Sequence, residues 1–300
     1  MRLYAPRYYK DFRCTADACR HSCCIGWQIT VDGEAMARYR ALPTEAREAI
    51  LGSVDTDLHT GAHTFRLGKD GRCPQLRTDG LCRIICEHGD ALLCDICREH
   101  PRFYHVTARG AEIGLGAACE TACRLILTSD GYADTCEIGT YGTDEPMPAF
   151  DAVSVREAVY RTLSDRSLPY AQRLHALLTR AELTAMPDAE AGRAILSALE
   201  YLDDSHARAF LCYTPTPVRS EENELPSERF LAYLVYRYVS QARDEQEARC
   251  ALRLCLLLER LYASLLSSGE LPLEAARMLS EELEYSEDNV ETLRIESAWL

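Results

Sequence analysis

The sequence predicts a mainly α protein, in which a cysteine-rich N-terminal part with a short β-hairpin is followed by a helical bundle. Twelve of the 15 cysteines lie between Cys14 and Cys136. Beyond residue 150, apolar residues recur at helical spacing, as in the stripe over 230–239. The charge also divides, from −2 over residues 1–140 to −12 over 141–300. A run of turn-forming residues over 139–148 marks the change, so we predict domains at 1–140 and 141–300.

Individual elements follow from local patterns. Residues 103–107 and 111–115, joined through Arg109-Gly110, predict the β-hairpin, and a helix is expected over 120–127. Ser227, which follows Pro226, is the predicted N-cap of the helix that carries the 230–239 stripe. Pro272 suits the first turn of a further helix. The other predicted helices cover 155–163, 170–183, 189–202 and 244–265.

Composition excludes several classes of protein. A net charge of −14 disfavours nucleic-acid binding, which requires clustered Lys and Arg against phosphates. The longest apolar stretch, 254–258, is far short of the roughly 20 residues of a membrane span. The first seven residues lack the apolar core of a secretory signal. We therefore expect a cytoplasmic protein with no membrane partner, in which cysteines bind metal rather than form disulfides.

The cysteines fall into clusters with metal-ligand spacing. Thiolates two to four residues apart can converge on one centre, and Cys94-x2-Cys97 is a standard two-ligand spacing. A turn at 78–80 could bring Cys73 and Cys82 together. Adjacent side chains diverge, so Cys23 and Cys24 are expected to serve different centres, or one of them packs. The predicted ligands are Cys14, Cys19, Cys23, Cys24, Cys73, Cys82, Cys94, Cys97 and Cys119.

The identity of the metal stays open at this point. Sets of thiolates alone suit zinc and iron–sulfur clusters alike. Histidine is scarce among the cysteines, and a site without histidine fits an iron–sulfur cluster slightly better. Cys123 and Cys136 are as well explained by core packing as by ligation, and Cys250 and Cys255 are read as core.

The order and spacing of these motifs resemble the flagellin lysine-N-methylase family, which belongs to a wider cysteine-rich group of metal-chelating proteins. The resemblance covers about residues 4–130. Its motifs are Phe12-x-Cys14-x4-Cys19-x3-Cys23-Cys24-x2-Trp27, Cys73-Pro74-x-Leu76, Gly80-Leu81-Cys82-x-Ile84, Cys97-x3-Pro101-Arg102 and Cys119-Glu120. The resemblance implies an iron–sulfur protein, of 4Fe–4S type with zinc as the alternative, that uses S-adenosylmethionine to methylate lysine on a protein such as flagellin.

Methyl transfer requires a neutral amine, an aligned donor and exclusion of water. Glu120 is the candidate for positioning the substrate amine or accepting its proton; otherwise it is a carboxylate favoured by the N-terminus of a helix. Arg102 could hold the carboxylate of the donor, or form a structural ion pair. Trp27 could stack on the adenine, although a packing role fits its position better.

A second hypothesis is a non-catalytic zinc- or iron-binding protein whose helical half docks a partner. A bare chelator would not need that half. Lysine is nearly absent, since only Lys10 and Lys69 occur and the other 31 basic residues are arginine. Genome composition would explain this, and so would an enzyme that gains by presenting few lysines of its own.

Overall fold

The computed structural model describes residues 1–298 and divides the chain into two compact units. The cysteine-rich unit comprises residues 13–101, and the sheet-and-helix unit comprises residues 1–12 together with the chain from 102 onward. The predicted domain boundary at 140 stays a prediction, because compactness does not establish which part folds independently.

A four-stranded mixed sheet forms one part of the sheet-and-helix unit. Its strands are β1 (Arg2–Pro6), β4 (Arg102–Thr107), β5 (Gly110–Leu115) and β6 (Thr135–Thr140), in the order β4-β5-β1-β6. The predicted hairpin β4–β5 is confirmed, with Phe103 opposite Gly114. The sequence predicted only this hairpin, and the sheet is larger than predicted: β1 pairs parallel to β5 and antiparallel to β6. Both partners of β1 lie more than 100 residues along the chain, beyond the reach of local patterns.

Nine α-helices of this unit are described, and four of them begin at a side-chain cap. Asp151, Asp188, Asp203 and Asp244 each accept a backbone N–H in the first turn of α6, α8, α9 and α11. The helices are α5 (Glu120–Thr128), α6 (Ala152–Leu163), α7 (Tyr170–Arg180), α8 (Ala189–Ser197), α9 (Asp204–Phe210), α10 (Glu221–Tyr238), α11 (Glu245–Ser267), α12 (Pro272–Leu279) and α13 (Glu287–Ala298).

The helical half is confirmed, with corrections to its boundaries. Ser227 is not an N-cap: α10 begins at Glu221, runs through Pro226 and buries Ser227. Helix α7 ends at Arg180, just before Glu182 adopts a positive φ of 54°. Helix α8 ends at Ser197, five residues before the predicted end. Helices α9 and α13, and a π-helical turn at Ser280–Glu284, were not predicted.

The core of this unit is formed mainly by α10 and α11. Tyr233, Tyr236 and Tyr238, all on α10, are buried. Cys255 is fully buried and Cys250 half-buried on α11. None of the helices within residues 1–298 has the length and apolar character needed to cross a bilayer.

The cysteine-rich unit has a separate small core. It contains α1 (Gly33–Arg40), α2 (Thr44–Leu51), α3 (Arg83–His88), α4 (Asp95–Glu99) and the hairpin of β2 (Val54–Thr56) with β3 (His63–Phe65). Tyr39, Ile50 and Phe65 form its apolar centre, against which cysteines pack. The thiols thus belong to the interior of the unit and not only to its loops.

The close packing of Phe103 on Gly114 yields a stability prediction. A Cβ at residue 114 would lie 2.2 Å from Cζ of Phe103, so the Gly114→Ala variant must displace that half-buried ring. We expect the free energy of unfolding to fall by about 1–3 kcal/mol, measured by urea denaturation. Gly142→Ala is the matched control, since its Cβ would have no neighbour within 4 Å. Equal unfolding midpoints for the two variants would contradict this packing.

Candidate functional site

Eight of the nine predicted metal ligands lie in the cysteine-rich unit. The exception is Cys119, which is the N-cap residue of α5 in the sheet-and-helix unit. Cys73 and Cys94 are buried in the core of the cysteine-rich unit, and Cys24, Cys82 and Cys97 pack against that core. We refer to these five residues as the thiol cluster.

Local backbone structure brings the members of the thiol cluster together. The N–H of Cys73 donates to the carbonyl of Cys24 at 2.8 Å, which joins two distant loops. Leu76 and Cys82 form an antiparallel bridge around Gly80, whose φ is 82°, so the predicted turn between Cys73 and Cys82 is present. Gly at residue 80 allows this left-handed conformation without a Cβ clash.

Helix α4 positions the remaining pair. Cys94 is its N-cap residue, and the N–H of Cys97 donates to the carbonyl of Cys94 at 3.1 Å. The two Sγ atoms are 3.4 Å apart. In a tetrahedral zinc site with Zn–S bonds near 2.3 Å, two thiolates lie about 3.8 Å apart, so this pair is close to the spacing of ligands on one ion.

The thiols of the cluster differ in how readily they ionise. Hydrogen bonding to Cys23, stronger than the opposing effect of burial, lowers the pKa of Cys24 to about 7. The hydrogen bond with Cys97 lowers the pKa of Cys94, and the same contact raises that of Cys97. Burial raises the pKa of Cys73 to about 12 and also raises that of Cys82. A bound cation would favour the thiolate at all five positions.

Asp32 holds the element that carries Cys94 and Cys97. One of its carboxylate oxygens accepts the N–H of Ala35 at 2.7 Å, and the other accepts the N–H of Asp95 at 2.8 Å. A single carboxylate therefore caps the N-termini of both α1 and α4. Burial raises the pKa of Asp32, but the N–H groups of Asp95 and Ala35 together lower it below the usual 3.8.

The sequence motif Asp32-Gly33-Glu34 before an apolar pattern could have identified Asp32 as the cap of α1. Its second role could not be read from the sequence, because Asp95 lies 63 residues away.

The other predicted ligands of the cysteine-rich unit have different surroundings. Cys14 and Cys23 are exposed, whereas Cys19 is half-buried and its thiol donates to the carbonyl of His21 at 3.2 Å. Cys23 and Cys24 differ in burial, but their side chains are hydrogen-bonded to each other, so the expectation that adjacent side chains diverge is not met by this pair. Cys86, on α3, is also exposed.

The three residues predicted for catalysis and donor binding lie in different units of the chain. Glu120 lies in the first turn of α5, is 6% exposed and accepts a hydrogen bond from Arg124 at 3.2 Å. Arg102 donates through Nε to the Tyr9 hydroxyl at 2.9 Å. Trp27 is half-buried in the cysteine-rich unit, whereas Glu120 and Arg102 belong to the other unit. Their assigned roles stay predictions.

The sequence is similar to curated proteins of Salmonella. A lysine-N-methylase of Salmonella choleraesuis (strain SC-B67) is 31% identical over 153 residues, 49% of this chain and 38% of that protein. A lysine-N-methylase of Salmonella typhimurium (strain LT2) has the same identity and coverage. The flagellar biosynthetic protein FliU of Salmonella muenchen is 30% identical over 134 residues, 43% of this chain and 79% of FliU. The chain belongs to this lysine-N-methylase and FliU family.

The family resemblance that the cysteine motifs predicted is thus confirmed. The matched region spans less than two fifths of the length of the two lysine-N-methylases. No family model matches the sequence, and no solved structure matches it.

The donor chemistry of the thiol cluster fits a thiophilic metal, because five thiols share one small core. Within residues 1–298, however, no three side chains of His, Cys, Asp or Glu are arranged to hold a metal ion. Only Cys94 and Cys97 show a direct sulfur–sulfur contact among the members of the cluster. Metal binding would therefore require other cysteine side chains to rotate.

Asp32 provides a test of how the cysteine-bearing helix is held. We expect Asp32→Ala to lower the free energy of unfolding by about 1–3 kcal/mol at pH 7, since it removes two helix caps. The pKa of Asp32 is depressed in the folded state, so this contribution is complete above the usual 3.8 and disappears as the pH falls through the folded value.

Denaturation of both proteins between pH 7 and pH 2 measures the difference. Glu34→Ala, in the exposed first turn of α1, is the control and should change stability by less than about 0.5 kcal/mol. A difference between wild type and Asp32→Ala that stayed constant down to pH 2 would exclude the carboxylate as its source.

Proposed function

We propose that this protein is a protein-lysine N-methyltransferase. The observation that carries the proposal is its similarity to proteins named lysine-N-methylase, at 31% identity over about half of this chain. The similarity to FliU, a flagellar biosynthetic protein, supports a flagellar substrate of the flagellin type. Because the match covers 38% of the lysine-N-methylases, both activity and substrate are proposals for this chain.

The proposed methyl donor is S-adenosylmethionine, whose sulfonium supplies an electrophilic methyl group. The lone pair of a neutral lysine amine forms the new N–C bond while the S–C bond breaks and its electron pair remains on sulfur. The nitrogen then releases a proton to solvent. The chain must therefore exclude water and provide an amine that has lost its proton before transfer.

We further propose that the thiol cluster holds the metal centre of this protein. Five thiols in one core support an iron–sulfur cluster of the 4Fe–4S type. The 3.4 Å separation between Cys94 and Cys97 favours zinc instead, because the thiolates of a 4Fe–4S cluster bind separate irons and lie farther apart.

That separation also supports the second candidate function, a non-catalytic zinc-binding protein whose helical half docks a partner. A structural zinc site would stabilise the small cysteine-rich unit without taking part in chemistry. The two functions differ in one direct observable, the transfer of a methyl group to protein.

A lysine-bearing partner is supported by charge. Residues 141–300 carry a net charge of −12, which attracts a basic surface and raises the rate of encounter. Carboxylates on one exposed helix, α13, contribute to this charge at Glu287, Glu291 and Glu296. Salt screens such attraction beyond roughly 10 Å at 0.1 M.

The activity is tested by labelled methyl transfer from S-adenosylmethionine to flagellin, under anaerobic reducing conditions, with the intact purified protein. We expect label on lysine, and a rate at subsaturating flagellin that falls severalfold between about 20 mM and 300 mM salt. A substrate lacking lysine is the control. If no label appears on protein at any salt concentration, the non-catalytic function is favoured. A rate that does not change with salt would contradict electrostatic attraction between the protein and its substrate.

The metal centre is tested by elemental analysis and visible spectra of anaerobically purified protein. We expect iron with a broad visible absorption, and its loss in Cys73→Ser and Cys94→Ser, since each removes a buried ligand. Cys250→Ser, half-buried on α11, is the matched control and should retain wild-type metal content. Stoichiometric zinc without iron would overturn the iron–sulfur assignment, and metal retained by both cluster variants would overturn the cluster itself.

A further inference from the structure

Tyr39, on α1, carries a buried hydroxyl with no hydrogen-bond partner. The residue is fully buried in the core of the cysteine-rich unit, where its ring packs against Phe65 with 6.4 Å between the centroids. Within residues 1–298, it is the only tyrosine whose hydroxyl is both fully buried and unpaired. A buried hydroxyl without a partner destabilises the folded state, because it has given up its hydrogen bonds to water. This hydroxyl therefore points to an acceptor that forms under other conditions.

The small core around Tyr39 offers few oxygen acceptors. Elsewhere in the chain, Tyr160 donates to the Ala232 carbonyl at 3.0 Å, which is the usual outcome for a buried tyrosine. Over residues 13–101, Gln75 is the only buried polar side chain, and its amide donates to the hydroxyl of Ser53 at 2.9 Å. The other buried side chains of this unit are apolar groups and thiols.

Helix α1 is fixed against the segment that carries Cys94. At the N-terminus of the helix, Asp32 accepts the N–H of Asp95 at 2.8 Å. Near its C-terminus, Arg38 donates through Nη2 to the carbonyl of Leu93 at 3.0 Å. Both chain neighbours of Cys94 are therefore held by α1, on either side of the turn of helix that leads to Tyr39.

Sulfur is the acceptor that remains near the Tyr39 hydroxyl. Burial is the largest cause that raises the pKa of Tyr39, and negative charge on Cys94 and Cys97 is the next. Arg38 and Asp32 act on it more weakly. A guanidinium has only donors, so Arg38 cannot accept the hydroxyl proton. Both oxygens of Asp32 already hold N–H groups at the starts of α1 and α4.

A metal-bound cysteine accepts a hydrogen bond better than a free one. A neutral thiol is a weak acceptor, whereas metal ligation requires the thiolate, and hydrogen bonds to charged groups are shorter and stronger. A metal ion at the thiol cluster would thus supply the acceptor that Tyr39 lacks. Groups that hydrogen-bond to ligands in this way orient them and strengthen metal binding.

We propose that Tyr39 is a positioning residue of the metal centre, whose hydroxyl donates to a thiolate of the Cys94–Cys97 pair once metal is bound. This inference rests on the proposed location of that centre in the thiol cluster. The bond would pair the buried hydroxyl, fix the rotamer of one ligand and withdraw electron density from its sulfur. It would do so for zinc and for an iron–sulfur cluster, since thiolates hold both.

The test compares wild type with Tyr39→Phe, which removes only the hydroxyl oxygen. The intact protein is stripped of metal under anaerobic reducing conditions and loaded with Co²⁺, whose absorption reports thiolate ligation. Competition with a chelator measures affinity, and we expect Tyr39→Phe to bind Co²⁺ about tenfold more weakly. Loss of the hydrogen bond raises the energy of the sulfur lone pairs, so the sulfur-to-cobalt charge-transfer absorption should move to longer wavelength.

Urea denaturation separates this bond from ordinary packing. Without metal, Tyr39→Phe should be at least as stable as wild type, because no protein hydrogen bond is lost. With Co²⁺ bound, it should be the less stable of the two. Tyr213→Phe is the matched control, since Tyr213 is buried in the other unit and donates to the Pro187 carbonyl at 3.1 Å. That variant should lose stability in both states and keep wild-type Co²⁺ affinity and absorption.

Wild-type Co²⁺ affinity and absorption in Tyr39→Phe would overturn this proposal. An equal loss of stability with and without metal would also overturn it, because it would indicate a permanent partner such as a buried water. If the metal-free unit does not fold, the affinity and the absorption decide.

The outcome is separate from that of methyl transfer, since these measurements need neither S-adenosylmethionine nor flagellin. If Tyr39→Phe behaves as expected and flagellin is never methylated, the proposed activity alone is refuted. If Cys94→Ser abolishes Co²⁺ binding while Tyr39→Phe matches wild type, the metal centre stands and only the role of Tyr39 is refuted.

Discussion

The buried ion pair between Arg156 and Glu112 is the contact on which the sheet-and-helix unit depends. Arg156, on α6, donates to both carboxylate oxygens of Glu112, on β5, and also to the hydroxyl of Ser240 at 2.6 Å. Burial alone would raise the pKa of Glu112, but hydrogen bonds from His105 and Arg156 lower it to about 2. Loss of one partner would leave an unpaired buried charge, at a cost of about 3–5 kcal/mol. Sheet and helices are therefore stable only together.

Buried carboxylates paired with arginine also occur among the helices of this unit. Glu228, Glu259 and Glu284 are buried, and each is met by at least one arginine: Arg166 and Arg173, Arg219, and Arg237 respectively. A guanidinium offers several donors in a fixed plane and can satisfy both oxygens of a carboxylate, which one ammonium cannot do. At these positions the preference for arginine over lysine has a structural reason.

Features that depend on residues close in sequence could be predicted, whereas features that depend on distant residues could not. The hairpin of β4 and β5 and the starts of α7 and α8 depend on neighbouring residues, and they were predicted. The pairing of β1 with β5 and β6 and the passage of α10 through Pro226 depend on tertiary packing, which overrides local signals.

The candidate sites also depend on contacts between distant residues, which the sequence does not reveal. The thiols were recognised because cysteine chemistry is visible in spacing alone. The two-helix role of Asp32 arises only when distant segments meet.

The order of the two units along the chain has a consequence for biosynthesis. Strand β1 is completed at residue 6, but its partner β5 begins at Gly110 and β6 at Thr135. At about 5–20 residues per second, a ribosome needs roughly 5–20 s to supply that partner. The intervening cysteine-rich unit has time to fold while β1 is still unpaired. Its completion would shorten the loop that β1 must close, so the folding of this unit sets how promptly the N-terminal strand finds its sheet.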